Sequence, residues 1–162
     1  MKSLASKLIG FQKLVTTILG IMIPTIVVIQ VLLRYVFKAP LMGIEELLFF
    51  PTIWLYMLGG ANASQQRNHI ECGILTLYIK RPKSIMIFKI VKNTVSLIVS
   101  VWLLYWSFCL FKYSFNAWKT SDLLYIPMFF LESAPFIGLL LMTFYATVEW
   151  VDHVRVFIRE RG

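Results

Sequence analysis

The sequence predicts an all-α membrane protein with four transmembrane helices and a short amphipathic interfacial helix between the second and the third. Of the 162 residues, 59% are apolar and 15% are aromatic, more apolar surface than a soluble domain of this size can bury. The apolar residues form continuous runs, and about 20 of them suffice to cross a bilayer. Lys and Arg cluster at the ends of these runs, as expected for residues that lie at a membrane surface.

Charge and cysteine content exclude several other classes of protein. The formal net charge is +8, but the basic residues do not line one solvated face, so we expect no nucleic-acid partner. Cys72 and Cys109 lack the spacing of a redox or zinc motif. Four spans use about half of the chain and leave only turns and tails. We therefore predict a single transmembrane domain over residues 1–162.

The first predicted span covers approximately residues 14–34. It contains no charge until Arg34, which is followed by Tyr35, and arginine beside tyrosine is typical of the boundary between bilayer and water. A signal peptide has a shorter apolar core and a cleavage site of small residues. Since neither feature is present, we interpret this run as a span.

The second predicted span covers approximately residues 44–64, after a break at Pro40 and Gly43. It opens with Glu45 and Glu46, and carboxylates are favourable at the positive end of a helix dipole. Small residues four positions apart near its end permit close approach of a neighbouring helix, although a flexible helix end is an equally good interpretation. These small residues are Gly59, Gly60, Ala63 and Ser64.

The connection and the third span follow. Residues 69–82 place apolar side chains at helical spacing on one side, which predicts a short helix in the interface because so few residues cannot cross. The third span covers approximately 92–112. Aromatic side chains on this span and just after it predict an aromatic belt at the outer interface. They are Trp102, Tyr105, Trp106 and Trp118.

The fourth predicted span covers approximately residues 127–150 and starts with Pro127, since proline is favoured in a first helical turn. Glu132 lies about one turn into this helix, close to the outer boundary. We expect it to form an ion pair with Arg34 or with a partner chain. The alternative is a solvated carboxylate, which is common near a helix start.

Basic residues set the expected orientation. The N-terminal tail, the connection between the second and third spans and the C-terminal tail carry most of the Lys and Arg residues. The two opposite turns carry only Arg34, Lys38, Lys112 and Lys119. By the positive-inside rule, both termini are expected in the cytoplasm.

The sequence offers no recognisable catalytic machinery. Pumps and ion-coupled transporters place ionisable groups near the middle of their spans, and these spans have none there. His69 and His153 fall outside the spans, which argues against a haem pair, and His69 is expected to hydrogen-bond the start of the interfacial helix. We therefore expect no catalytic residue, metal site or cofactor in this chain. Two alternatives remain: a small four-helix membrane enzyme and a stand-alone small exporter.

The order of several residues resembles the small, four-span (Q-type) integral-membrane subunit of tripartite ATP-independent periplasmic (TRAP) transporters. The resemblance extends over essentially the whole chain. Its elements are Arg34-Tyr35-Val36-Phe37 with Pro40, Glu45-Glu46, Gly59-Gly60-Ala61, His69-Ile70, Ile126-Pro127, Pro135 and Gly138.

This resemblance implies a non-catalytic scaffold in the bacterial cytoplasmic (inner) membrane. Its partners would be a large multi-span subunit, which moves as an elevator and holds the sodium ions, a periplasmic substrate-binding protein, and membrane lipids. The cargo would be an organic anion such as a dicarboxylate, a sugar acid or sialic acid.

Two sets of site residues follow as hypotheses. Arg34 and Lys38, on the outer turn, are expected to dock the binding protein, with lipid-phosphate anchoring as the rival role of Arg34. A second set is expected to form the scaffold and subunit interface. It comprises Tyr35, Glu45, Glu46, Gly59, Gly60, Ala63, His69, Glu132, Pro135 and Gly138.

Overall fold

A computed structural model describes residues 2–38, 43–66 and 82–159, which form four α-helices. The expected all-helical class is confirmed for these residues. The predicted interfacial helix at 69–82 lies outside them, apart from Pro82, which begins the third helix. The helices are α1, Lys2–Tyr35; α2, Ile44–Gln65; α3, Pro82–Ala117; and α4, Phe129–Arg159.

Three of the helices are long and apolar enough to cross a membrane, through the segments Lys7–Tyr35, Phe88–Ala117 and Phe129–Val156. At 1.5 Å per residue, each of these segments extends over about 42–45 Å, more than the 30 Å of hydrocarbon in a bilayer. Their ends therefore reach the headgroup region. The helix α2 is not one of these three segments, and it has carboxylates in its first turn and polar residues near its end.

The turn before α4 differs from the prediction. The helix starts at Phe129 rather than at Pro127, because Pro127 pairs with Thr120 in an isolated antiparallel bridge. The Ser121 amide donates to the Ile126 carbonyl at 2.9 Å, and the Met128 amide donates to the Lys119 carbonyl at 2.8 Å. These hydrogen bonds fold the turn into a small hairpin and keep Pro127 outside the helix.

The helices lie in a row, in the order α1, α2, α4, α3. The principal contacts join α1 to α2, α2 to α4 and α4 to α3. Only Leu58, Ala61 and Ala134 are buried apolar residues in the part of the chain described above. The accessible surface is 12024 Å², whereas a compact soluble monomer of 18.8 kDa exposes about 8300 Å². The row therefore leaves wide apolar surfaces for lipid or other proteins to cover.

Polar and small side chains, rather than large apolar ones, occupy the contacts between helices. This is the usual pattern inside a bilayer, where lipid is as apolar as leucine and helices associate through close packing and hydrogen bonds. The buried polar residues in the described ranges are Gln12, Ser64, Ser107, Ser114, Ser121, Ser133 and Thr143.

The contact between α3 and α4 repeats every seven residues. The Ser100 and Thr143 hydroxyls are 3.1 Å apart, and Thr143 already donates to the Leu139 carbonyl, so Ser100 is the donor. One heptad away, the Phe136 ring lies 5.8 Å from that of Phe108. A seven-residue period is characteristic of helices packed side by side in a left-handed pair. The positions concerned are Ser100, Ser107 and Ser114 on α3, and Phe129, Phe136, Thr143 and Trp150 on α4.

The closest approach between helices joins α2 to α4 at Gly138. A β-carbon at Gly138 would lie 2.6 Å from the Met57 Cβ and 3.2 Å from the Met57 Cα. Gly60 also faces α4, but a β-carbon there would meet only the end of the flexible Met142 side chain. At Gly138, therefore, the backbones of α2 and α4 are so close that a residue with a β-carbon would not fit without a shift.

Replacing Gly138 by alanine tests this contact. We expect Gly138→Ala to destabilise the protein by about 1–3 kcal/mol, since the added methyl group overpacks against the backbone of α2. The measurement is thermal unfolding in detergent. The matched control is Gly59→Ala, where the β-carbon would meet no atom within 4 Å, and mid-helix alanine is favoured by about 0.5–1 kcal/mol. Equal Tm shifts for both variants would contradict the assignment.

Candidate functional site

Many of the residues singled out in the sequence lie at one end of the row, named the outer end here after the orientation that the basic residues predict. Arg34 and Lys38 follow α1, Glu45 and Glu46 begin α2, and the hairpin between α3 and α4 lies beside them. Gly43, with φ of 105°, lies directly before the first residue of α2. Its backbone packs against the Leu124 side chain, since a β-carbon there would lie 3.2 Å from Leu124 Cδ2.

The Glu46 carboxylate holds the hairpin between α3 and α4. It accepts the backbone N–H of Asp122 at 3.0 Å, of Leu123 at 3.2 Å and of Leu124 at 2.8 Å. Successive backbone amides of this kind form a concave anion site, and hydrogen bonds to a charged acceptor are stronger than neutral ones. The carboxylate of α2 thereby sets the conformation of a loop about 76 residues further along the chain.

Glu45 links α2 to α1 at the same level. The Gln30 side-chain amide donates to its carboxylate at 3.3 Å. Glu45 therefore connects α2 to α1, whereas its neighbour Glu46 connects α2 to the hairpin. Together they connect α1, α2 and the hairpin at this end of the row.

Arg34 and Lys38 are both exposed at that end of the row. The Arg34 guanidinium lies 6.0 Å from the centre of the Tyr35 ring, at the limit of a cation–π contact. Lys38 has a left-handed backbone, with φ of 50°. Within the described ranges, neither cation has an ion-pair partner, so both side chains remain accessible to another molecule.

Glu132 lies in the first turn of α4, half-buried, and its charged neighbour is Lys119 rather than Arg34. The Lys119 ammonium lies 5.2 Å from the centre of the Tyr113 ring. The Tyr113 hydroxyl, through a hydrogen bond and then through electrostatic attraction, raises the pKa of Lys119 against the opposing effect of desolvation. Attraction to Glu132 contributes in the same direction.

Some of the remaining predicted interface residues contact another helix of this chain, and others are left at least partly exposed. Gly138 is buried against Met57 and Gly60 faces Met142, so both serve contacts within this chain. Gly59 is open, and Ala63 and Pro135 are half-buried. His69 lies outside the described residues.

A polar contact at the inner half of the row was not singled out from the sequence. Gln12 is buried, its amide donates to the Leu58 carbonyl at 3.4 Å, and its carbonyl oxygen accepts the Tyr145 hydroxyl at 3.1 Å. Asn62 donates to Thr16 at 2.9 Å. These bonds attach α1 to α2 and α4. Gln12 lies just before the predicted first span, so the sequence pattern does not predict its contacts with α2 and α4.

A second inner contact joins α3 and α4. Asn93 donates to the Glu149 carboxylate at 3.4 Å, and His153 lies 3.5 Å from the same group. The Trp150 indole donates to Thr94 at 2.9 Å. The heptad spacing of Ser100, Ser107 and Ser114 is the signal in the sequence that could have indicated which side of α3 meets α4.

Neutralising Glu46 tests whether its carboxylate holds the hairpin between α3 and α4. We expect Glu46→Gln to accelerate hydrogen exchange of the Asp122, Leu123 and Leu124 amides, because the neutral amide has one acceptor oxygen instead of two and no charge. Hydrogen exchange followed by mass spectrometry measures this. Glu45→Gln is the control, since Glu45 touches Gln30 and not the hairpin. Unchanged exchange in Glu46→Gln would show that the hairpin is held by its own hydrogen bonds.

Comparison with protein families agrees with this arrangement. The model of the DctQ component of tripartite ATP-independent periplasmic transporters matches residues 23–156. That range includes the outer turns, the heptad contact and the Gly138 approach. No match was found among curated proteins. Because the family model covers most of the chain, the protein belongs to the family of DctQ-type small subunits of TRAP transporters.

Proposed function

We propose that this chain is a non-catalytic scaffold for the large, elevator-type subunit of a TRAP transporter. The complete system would take up an organic anion, such as a dicarboxylate, a sugar acid or sialic acid, with coupling to sodium and delivery by a periplasmic binding protein. The observation that carries the proposal is the open row of helices. With three buried apolar residues in the described ranges, the row leaves its sides open to a neighbour.

The distribution of charge along the helices supports a passive role. The charge-free stretch runs from Lys13 to Arg34 in α1, from Lys92 to Lys112 in α3 and from Glu132 to Glu149 in α4. At 1.5 Å per residue, these stretches measure about 25–32 Å, the thickness of the hydrocarbon. A subunit that carried protons would place ionisable groups inside this layer. Membership of the TRAP family is the reason for proposing that the sodium sites lie in the large subunit.

The lengths of these stretches support spans in the inner membrane for α1, α3 and α4. We propose that α2 spans the membrane as well, which gives four spans in all. α2 is bonded at its outer end through Glu45 and Glu46, and at its inner end through Asn62 to Thr16 and through Ser64 to the Met142 carbonyl. It therefore lies alongside α1 and α4 over its full length. Both termini would lie in the cytoplasm, and residues 69–82 would lie flat on the inner leaflet. Labelling of cysteines introduced at Val36 and Arg155 from each side of the membrane measures this orientation.

The open positions are assigned to partners. Tyr35, Gly59, Ala63 and Pro135, together with His69, would contribute to the subunit interface, and lipid would cover the remaining apolar surface. Arg34 and Lys38 would dock the binding protein, since they are exposed and lie on the outer surface that Glu45 and Glu46 hold together.

Copurification tests the scaffold role. We expect a tagged chain, expressed with the multi-span membrane protein encoded next to it, to retain that protein through detergent extraction and size exclusion. Reconstituted alone, the chain should move no solute into vesicles, because its spans carry no charged side chain at mid-depth. Transport or turnover by the isolated chain would reject the scaffold role in favour of an exporter or an enzyme.

Reversing the outer charges tests docking. We expect the double variant Arg34→Glu and Lys38→Glu to reduce uptake at limiting binding-protein concentration, because like charges would replace attraction at the contact. The large subunit should still copurify. The matched control is Lys112→Glu, a charge reversal on the same expected side of the membrane but outside the Arg34 and Lys38 pair. Unchanged uptake by the double variant would leave Arg34 with lipid anchoring alone.

A further inference from the structure

The outward edge of α3 is aromatic and unpartnered. Trp102, Tyr105 and Trp106 are spaced by three and four residues, so they share one face of the helix. They are 65%, 62% and 58% exposed. α4 packs against the other side of α3, through Ser100 and Phe108. The aromatic face is therefore one of the two open edges of the row.

Trp102 lies deeper than a belt at the outer interface would require. Trp102 is ten residues from Lys92 and ten from Lys112, which places it about 15 Å from each end of the charge-free stretch. That is the middle of the hydrocarbon layer. Tryptophan and tyrosine normally lie at the interface, where their polar atoms reach water.

The polar atoms of this face have no hydrogen-bond acceptor among the residues that the structure describes. The Trp54 indole donates to the Phe130 carbonyl at 3.0 Å, and the Trp150 indole donates to Thr94 at 2.9 Å. In contrast, the indole N–H groups of Trp102 and Trp106 and the Tyr105 hydroxyl bond to nothing in the described ranges. Lipid chains offer no acceptor either, and an unpaired polar group in hydrocarbon is unfavourable.

The opposite edge of the row has a different chemistry. The charge-free stretch of α1 contains no aromatic residue, and its exposed side chains include Ile21, 67% exposed, and Val28, 56% exposed. Such aliphatic side chains have no polar atom to satisfy and fit lipid as they are. The two edges are therefore suited to different neighbours.

We propose that the face formed by Trp102, Tyr105 and Trp106 docks a transmembrane helix of the large subunit, and that this helix supplies hydrogen-bond acceptors at mid-depth. The acceptors would be Ser, Thr, Asn or Gln oxygens or a free backbone carbonyl, set in an apolar surface. The inference rests on the scaffold role proposed above, and it assigns the α3 edge to protein and the α1 edge to lipid. It extends the row by one helix beyond α3.

Site-specific photo-crosslinking tests which neighbour covers each edge. A benzoylphenylalanine introduced at position 102 or 106, in the chain expressed with its multi-span partner, should form a crosslink to that protein. The same group in place of Ile21, at comparable depth, should crosslink to lipid. If positions 102 and 106 crosslink only to lipid, or if position 21 captures the partner equally well, the inference is overturned.

Conservative substitutions test the hydrogen bonds themselves. Trp102→Phe with Trp106→Phe keeps apolar bulk but removes both indole donors, and we expect the apparent affinity for the large subunit to fall about threefold for each bond lost. Trp118→Phe, which removes an exposed indole in the outer turn, should leave the affinity unchanged. Circular dichroism checks that the variants retain their helices.

The outcomes separate the two proposals. If the unmodified chain does not retain the large subunit, the scaffold role fails and this inference fails with it. If the unmodified chain retains it and the double variant retains it with equal affinity, only the assignment of the α3 edge is wrong.

Discussion

The close approach of α2 and α4 at Gly138 is the contact on which the rest of the arrangement depends. In a bilayer, apolar side chains gain little by leaving lipid for protein, so helices associate where small residues allow close packing and where polar groups pair. Gly138 lets the backbone of Met57 approach, and this brings α2 into the middle of the row. α1 then attaches to α2, and α3 attaches to α4.

The central position of α2 explains how this helix accommodates polar and charged residues at both of its ends. Its first turn reaches α1 through Glu45 and the hairpin through Glu46, and its last turns reach α1 through Asn62 and α4 through Ser64. A helix that faced lipid on most sides would not tolerate these groups. Because α2 packs between α1 and α4, these groups form polar contacts with neighbouring elements at its first and last turns.

An open row is an unusual end state for a single chain but a reasonable one for a subunit. A closed four-helix bundle hides its apolar positions from both water and partners. Here the buried positions are few and mostly polar, and the long sides remain available. The two carboxylates connect α2 to α1 and to the hairpin at the end of the row where Arg34 and Lys38 are exposed. This open arrangement is the basis of the scaffold role proposed above.

The sequence by itself determined the helical class of the described residues and the breaks that precede α2 and α4. These follow from local quantities: the length of apolar runs, the carboxylates that open α2 and the breakers around Gly43. The family was also recognisable from the order of short motifs. The exact start of α4 was not, because the pairing of Thr120 with Pro127 depends on the folded hairpin.

Only the tertiary structure decided which helices meet and what each polar residue contacts. The small residues Gly59 and Gly138 read alike in the sequence, yet one is open and the other lies against Met57. Glu46 looked like a group for its own helix dipole, but it holds a distant loop. Trp54 and Trp102 are chemically identical, and only their neighbours distinguish a satisfied indole from an unsatisfied one. The physical reason is that helical periodicity specifies which residues share a face, whereas the identity of the facing helix depends on contacts between distant parts of the chain.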